Sequence, residues 1–224
     1  MVTTFYLVRH AEAEGNVKEF FQGNINTDVT PKGQTQLDCL AERFHDIHLD
    51  AVYTSPYLRA LKTAQAVNRY HNLPLIQNDD LREINGGEWE GRKWADIPRL
   101  FPEEHKLWTD QLWLFHAPNG DTMTAVYQRI LKVMAEIAEE NKGKTVAVVS
   151  HGCTLRNFLS FLESGCIEGL QAVGWSDNTA VSLAEYDHET QKWSLIFKND
   201  SSHLSAELST LNSSAWNRYE KEKT

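Results

Sequence analysis

Phe5-Tyr6-Leu7-Val8 is bulky, mostly apolar and free of turn formers, and it runs straight into Arg9-His10-Ala11-Glu12-Ala13-Glu14-Gly15-Asn16. The first part reads as a buried strand over residues 3–9, and the second as the loop that leaves it. In open α/β sheets, ligands bind beyond the carboxyl ends of the strands. An arginine and a histidine side by side at such an end can bind and attack an anion. Alone, the pair also fits an ordinary polar loop, so its meaning depends on whether comparable residues recur.

They do recur. Thr145-Val146-Ala147-Val148-Val149 is the least ambiguous buried strand, and Ser150-His151-Gly152 breaks it. If both strands are central and parallel, His10 and His151 emerge on one rim. Ala51–Thr54 is a further strand. Ser55-Pro56 has the cap-plus-proline form of a helix start, and that helix runs to about Tyr70 with Arg59 in its first turn. A helix N-terminus offers free N–H groups and partial positive charge to an anion. Leu81–Gly91 supplies carboxylates at Glu83, Glu88 and Glu90, among which periodicity does not choose.

The remaining elements complete an alternation. Residues 15–29 carry turn chemistry, and Thr30-Pro31 starts a helix that reaches about Ile47. Leu75-Ile76 is a brief strand, and residues 80–91 form a glycine-bearing loop. Residues 92–117 are aromatic-rich and helical in pieces, broken at Pro98, Pro102 and Pro118. Asp121 caps a helix to about Glu140, with Val126, Ile130, Val133, Met134 and Ile137 on one stripe. A helix over 153–163 and a hairpin of 179–186 with 192–198 follow. This order predicts an α/β three-layer sandwich with a mostly parallel central sheet, an antiparallel edge and a helical, aromatic-rich lid insertion at about 92–120. One domain over 1–224 accommodates all of it, with a polar tail from about 205.

The net charge of −9 disfavours nucleic acid as a partner, since phosphate backbones need an excess of cations. No apolar run approaches the roughly 20 residues that span a bilayer, and no signal-peptide pattern opens the chain. Cys39, Cys153 and Cys166 have no CxxC spacing and read as reduced thiols, so the expected location is cytoplasmic. No ligand cluster has metal spacing, and no cofactor is expected.

Together these stretches resemble the histidine phosphatase superfamily, which is phosphoglycerate mutase-like in fold. Arg9-His10-Ala11-Glu12 with Asn16 is similar to its Arg-His-Gly signature. Ser55–Ala64 is similar to its second block, Leu81-Arg82-Glu83 with Gly87–Gly91 to its third, Val148–Gly152 to its fourth and Asn199–Leu204 to its ending. The resemblance implies that His10 is the nucleophile, forming a phosphohistidine. It implies that Arg9 and Arg59 clamp the phosphoryl oxygens and that His151 donates a hydrogen bond to them. It implies that Glu83 is the general acid and base, and that Asn16, Gln22 and the Gly152 N–H contact the phosphate. Simple electrostatics agrees, because two guanidiniums beside His10 lower its pKa and favour the neutral, attacking imidazole.

Two positions depart from the pattern. Ala11 stands where glycine is common, so an ordinary negative φ is expected there, and Ala13 lacks a hydroxyl that the family often has. The segment around Glu83 resembles the small bacterial phosphatase branch. The expected function is therefore metal-independent hydrolysis of small phosphomonoesters. A 2,3-bisphosphoglycerate-dependent mutase is the alternative, and a phosphate-binding sensor without turnover is a third reading. Phe21, Trp89, Trp94, Trp108 and Trp113 are candidate walls for an apolar or bulky leaving group, and the same rings could simply pack the lid. His45, His48, His71, His105, His116, His188 and His203 are expected to be surface or packing residues.

Overall fold

The computed structural model of the protein describes residues 1–212; the part of the expected polar tail beyond that lies outside the described residues. In chain order the strands are β1 (Val2–Arg9), β2 (Ala51–Thr54), β3 (Leu75–Gln77), β4 (Thr145–Ser150), β5 (Val181–Asp187) and β6 (Lys192–Asp200). The helices are α1 (Glu14–Val17), α2 (Pro31–Phe44), α3 (Leu58–Val67), α4 (Ile97–Leu100), α5 (Pro102–Asp110), α6 (Met123–Glu140) and α7 (Gly152–Ser164).

One sheet holds all six strands in the order β3-β2-β4-β1-β5-β6, with β1 to β4 parallel and β5 and β6 antiparallel at one side. The central strands are apolar on both faces because helices cover both. Phe5, Leu7, Val146 and Val148 pack against α6 and α7 through Ile130, Val133, Met134, Phe158 and Leu159. Val8, Val52, Ala147 and Val149 pack against α2 and α3 through Leu40, Phe44, Ala60 and Ala64. This is the three-layer α/β sandwich that the alternation implies.

Register sets the functional rim. Arg9 pairs with Ser150 and Thr54 with Val149, so β1, β2 and β4 end at nearly one level. The His10 N–H donates to the Ser150 carbonyl at 3.0 Å and the Ser55 N–H to Val149 at 3.0 Å, which carries the alignment one residue past each strand.

Two helix starts differ from expectation. Ser55 does not cap α3: Tyr57 stays extended at φ −73, ψ 139, and the helix opens at Leu58 without a side-chain cap. Thr122, not Asp121, caps α6, accepting from the Ala125 N–H at 3.1 Å. Asp121 instead accepts from the Asn85 N–H at 3.0 Å and ties the loop of residues 80–91 to the helix start. In both places a tertiary partner takes the polar side chain that local sequence assigns to a cap. Ala11 is absent from the non-glycine residues with positive φ, as expected.

The segment between β3 and α6 supplies Ile84, Trp89, Ile97, Trp108, Leu112 and Phe115 to a second apolar cluster, which Phe21 and Met123 join. This cluster seats α4 and α5 over the strand ends and makes one wall of a cleft.

Candidate active site

A cleft of about 930 Å³ opens over the rim, and Arg9, His10, Asn16, Gln22, Arg59, Glu83 and Gly152 all line it. Residues from four separate stretches thus converge. His151 lies immediately behind them, fully buried, its ring centroid 5.2 Å from that of His10.

The His10 Nδ1 lies 2.7 Å from its neighbour's carbonyl, Ala11 O. That contact requires Nδ1 to carry the proton, so Nε2 bears the lone pair. Burial holds the His10 pKa well below its ordinary value, and the charges of Arg59 and Arg9 lower it further. His151 is held well below its ordinary value in the same way, by burial and then by Arg59 and His10. Both rings are therefore neutral near pH 7.

The two guanidiniums are fixed by main-chain carbonyls. Arg59 donates from Nη1 to Ile25 O at 2.7 Å and from Nη2 to Gly23 O at 2.8 Å. Arg9 donates from Nη1 to Ser176 O. Burial lowers the Arg59 pKa to about 10, which leaves it charged at neutral pH. On both arginines Nε is buried and has no hydrogen-bond partner, and the same holds for Nδ1 of His151, whose Nε2 is 2.7 Å from Ser55 Oγ. Buried donors are rarely left unpaired. The two guanidinium N–H groups, joined by His151 Nδ1 where Ser55 Oγ donates to its Nε2, suit a tetrahedral oxyanion beside one neutral imidazole.

Glu83 sits at the N-terminus of α7. Its carboxylate accepts from the N–H groups of Cys153 and Thr154, both at 3.0 Å, and from the Thr154 hydroxyl at 3.0 Å. Asn16 and Gln22 use their amide oxygens internally, toward the Ala13 N–H at 3.0 Å and the Thr27 hydroxyl. Their NH₂ groups are then the donors left for a ligand. Gly15 matters to this arrangement, since a Cβ there would lie 2.0 Å from Gln22 Cγ.

Of the aromatic candidates, Phe21, Trp94 and Trp108 line the cleft. Trp89 does not: the turn Gly87–Trp89 sends its ring into the second cluster, where it is fully buried against Phe21, Trp108 and Phe115. Trp113 is half-buried and also stands away from the lining. His105, expected as a surface or packing residue, does line the cleft, together with Glu19 and Asp110. Sequence reasoning missed Trp175, which stacks on Trp108 at 6.2 Å and carries the Arg156 guanidinium over its face at 4.2 Å. A tryptophan placed just before β5 was the one available signal. Cys153 is buried with its thiol pKa pushed up by burial, which makes it a packing residue. Among the described residues, no group of His, Cys, Asp or Glu could hold a metal ion, and no helix is long and apolar enough to cross a membrane.

Residues 5–200 match the family described as the histidine phosphatase superfamily (branch 1). The chain is 30% identical over 199 residues to phosphoserine phosphatase 1 of Hydrogenobacter thermophilus, covering 88% of this chain and 92% of that one. It is 30% identical over 208 residues to the metal-independent phosphoserine phosphatase of Arabidopsis thaliana, covering 92% and 84%. The solved structure of Bacillus stearothermophilus YhfR superposes with a TM-score of 0.86 at 30% identity, covering 91% of this chain and all of that one. With this sheet, this rim and these relatives, the chain belongs to the histidine phosphatase superfamily, as a phosphoric monoester hydrolase.

Proposed function

We propose that the protein hydrolyses small phosphomonoesters without a metal, through a phosphohistidine on His10. The observation that carries this is the set of unpartnered buried nitrogens, Arg9 Nε, Arg59 Nε and His151 Nδ1, beside an imidazole whose Nε2 holds a lone pair. In the first step Nε2 forms a bond to phosphorus, the bond from phosphorus to the ester oxygen breaks, and the leaving alkoxide takes a proton from Glu83. In the second step Glu83 takes a proton from water, the resulting hydroxide oxygen bonds to phosphorus, and the P–N bond breaks. Inorganic phosphate leaves and Nε2 regains its lone pair. Two permanent cations serve both steps, because phosphoryl transfer asks chiefly for positioning and charge stabilisation. Gly152 N–H and the amides of Asn16 and Gln22 complete the phosphate contacts.

The outer cleft bears on the substrate. Arg9 and Arg59 are the arginines and lysines among its described lining residues, and beyond them stand Phe20, Phe21, Trp94, Trp108 and Trp175. A bisphosphate needs a second set of cations, which this lining does not supply. An apolar or bulky leaving group fits better, and phosphoserine is the natural small ester to compare with it. Three free thiols suit a cytoplasmic setting.

The test is hydrolysis of p-nitrophenyl phosphate in chelator, wild type against His10→Ala, with a panel of phosphomonoesters ranked by kcat/KM. Turnover that vanishes in His10→Ala, with acid-labile and base-stable radiolabel trapped on the wild type, is the expected result. Full activity in His10→Ala, or a preference for bisphosphates, overturns the reading.

A further inference from the structure

The turn Ser176–Ala180, just before β5, grips the reactive end of β1. Ser176 O accepts from the Arg9 guanidinium, and Ala180 O accepts from the Arg9 N–H at 3.1 Å. The Thr179 N–H donates to Arg9 O at 3.1 Å, and Asn178 Nδ2 donates to His10 O at 2.8 Å. The groups that set Arg9 and His10 therefore come from a turn far away in sequence.

That turn is strained. Thr179 has φ +60, the one β-branched residue among the described non-glycine residues with positive φ. Such a conformation is unfavourable for a β-branched residue and persists only where its surroundings impose it. The surroundings are a strap from the C-terminal region. Asp177, 4% exposed, accepts from Ser209 Oγ at 2.5 Å, Thr210 N at 2.6 Å, Thr210 Oγ1 at 2.8 Å and Leu211 N at 3.2 Å. The Asn178 side-chain oxygen shares the Thr210 hydroxyl at 2.8 Å. A second tie runs through Gln36, which donates to Leu208 O at 2.8 Å and accepts from the Glu12 N–H at 2.8 Å, two residues from His10. His203 Nε2 lies 3.1 Å from the Thr179 hydroxyl.

We propose that Asp177 and Asn178 are positioning residues, clipping the strap Ser205–Leu211 to the strained turn and through it holding the Arg9 guanidinium and the His10 main chain in reacting geometry. This rests on the reading of His10 as the nucleophile. A buried carboxylate with four strap donors is more than a chain end needs to lie down. Its partner turn touches both the phosphate-binding guanidinium and the carbonyl of the attacking residue. None of the strap residues lines the cleft, so the clip acts on the chemistry only through that turn.

The test uses the full-length chain with Thr210→Val and Asp177→Asn, and reads the burst of p-nitrophenolate that accompanies phosphoenzyme formation. Rates are normalised to the folded fraction from denaturation curves. The clip predicts a burst rate lower by about tenfold or more, as expected for a small misplacement of reacting groups, with KM changing much less. It also predicts that Thr179→Gly, which adopts positive φ without strain, returns most of the lost rate in the Thr210→Val background. Burst rates unchanged per folded molecule, with only a lower melting temperature, overturn the proposal, and so does a Thr179→Gly that rescues nothing. His10→Ala separates the two readings. If it is inactive while the clip variants burst normally, the clip alone fails; if it is fully active, the nucleophile assignment fails and the clip with it.

Discussion

At the scale of single residues, the site depends on groups whose charge state is fixed before substrate arrives. As the proposed nucleophile, His10 would attack only when neutral. Its pKa is depressed by burial and by two arginines, so the neutral form persists as pH falls through the ordinary imidazole range near 6.5. The acid limb of kcat/KM, measured with a substrate whose own phosphate ionisation is accounted for, is expected below that range; an inflection at or above 6.5 assigned to His10 contradicts the site electrostatics. Arg59 makes a separate case. Its two Nη groups are committed to Gly23 and Ile25 carbonyls and only Nε is unpartnered. The single ammonium nitrogen of a lysine cannot occupy both Nη positions and the Nε position at once. Arg59→Lys is expected to lower kcat/KM by about 100-fold or more, the usual loss for one oxyanion donor. A lysine variant within threefold of wild type in steady-state assays would place the phosphate elsewhere.

At the scale of elements, what the sequence reveals follows from how local the cause is. β4 is legible because it is covered on both faces and needs apolar residues throughout. Arg9, His10 and His151 are legible because abrupt strand ends in an α/β sheet are where ligands go. Ser55 misleads because its hydroxyl serves His151, not the start of α3. Trp89 misleads because composition marks a ring as aromatic and only the turn Gly87–Trp89 says which way it faces. Trp175, Asp177 and Asn178 carry no periodic or motif signal, since their roles arise from contacts between segments. α2 shows such a contact in testable form. A Cβ on Gly33 would lie 2.2 Å from the carbonyl oxygen of Glu12. Alanine gains about 1 kcal/mol over glycine in a helix, but this overlap with fixed backbone requires α2 or the loop after His10 to move. Gly33→Ala is therefore expected to destabilise by roughly 1–3 kcal/mol despite its better propensity, and to slow turnover through the loop. Denaturation curves and kcat check both, and a stabilised, fully active variant contradicts the close packing of α2 on Glu12.

At the scale of the whole molecule, the site sits between two apolar bodies, the sandwich and the cluster that seats α4 and α5, and burying it there has a consequence for stability. His10, His151 and His203 all have folded pKa values below those of the unfolded chain, His203 at about 4. Below pH 6.5 the unfolded chain binds protons at these positions that the folded chain refuses, so stability present above 6.5 is lost as pH falls. For His203 the window runs from about 6.5 down to about 4. Burial is the main cause there, and the Arg43 guanidinium, whose Nη1 is 3.1 Å from Nδ1, adds to it. Nδ1 accepts that bond, which leaves Nε2–H for the Thr179 hydroxyl at 3.1 Å. Glutamine can accept from Arg43 and donate to Thr179 without titrating. His203→Gln is thus expected to reduce the slope of unfolding free energy against pH, near pH 5, by about one proton relative to wild type. Urea denaturation at several pH values between 4.5 and 7.5 measures both slopes. Parallel curves for the two proteins would mean that His203 takes up its proton in the folded state as readily as in the unfolded one, and that the ring is not wedged between Arg43 and the turn that grips His10.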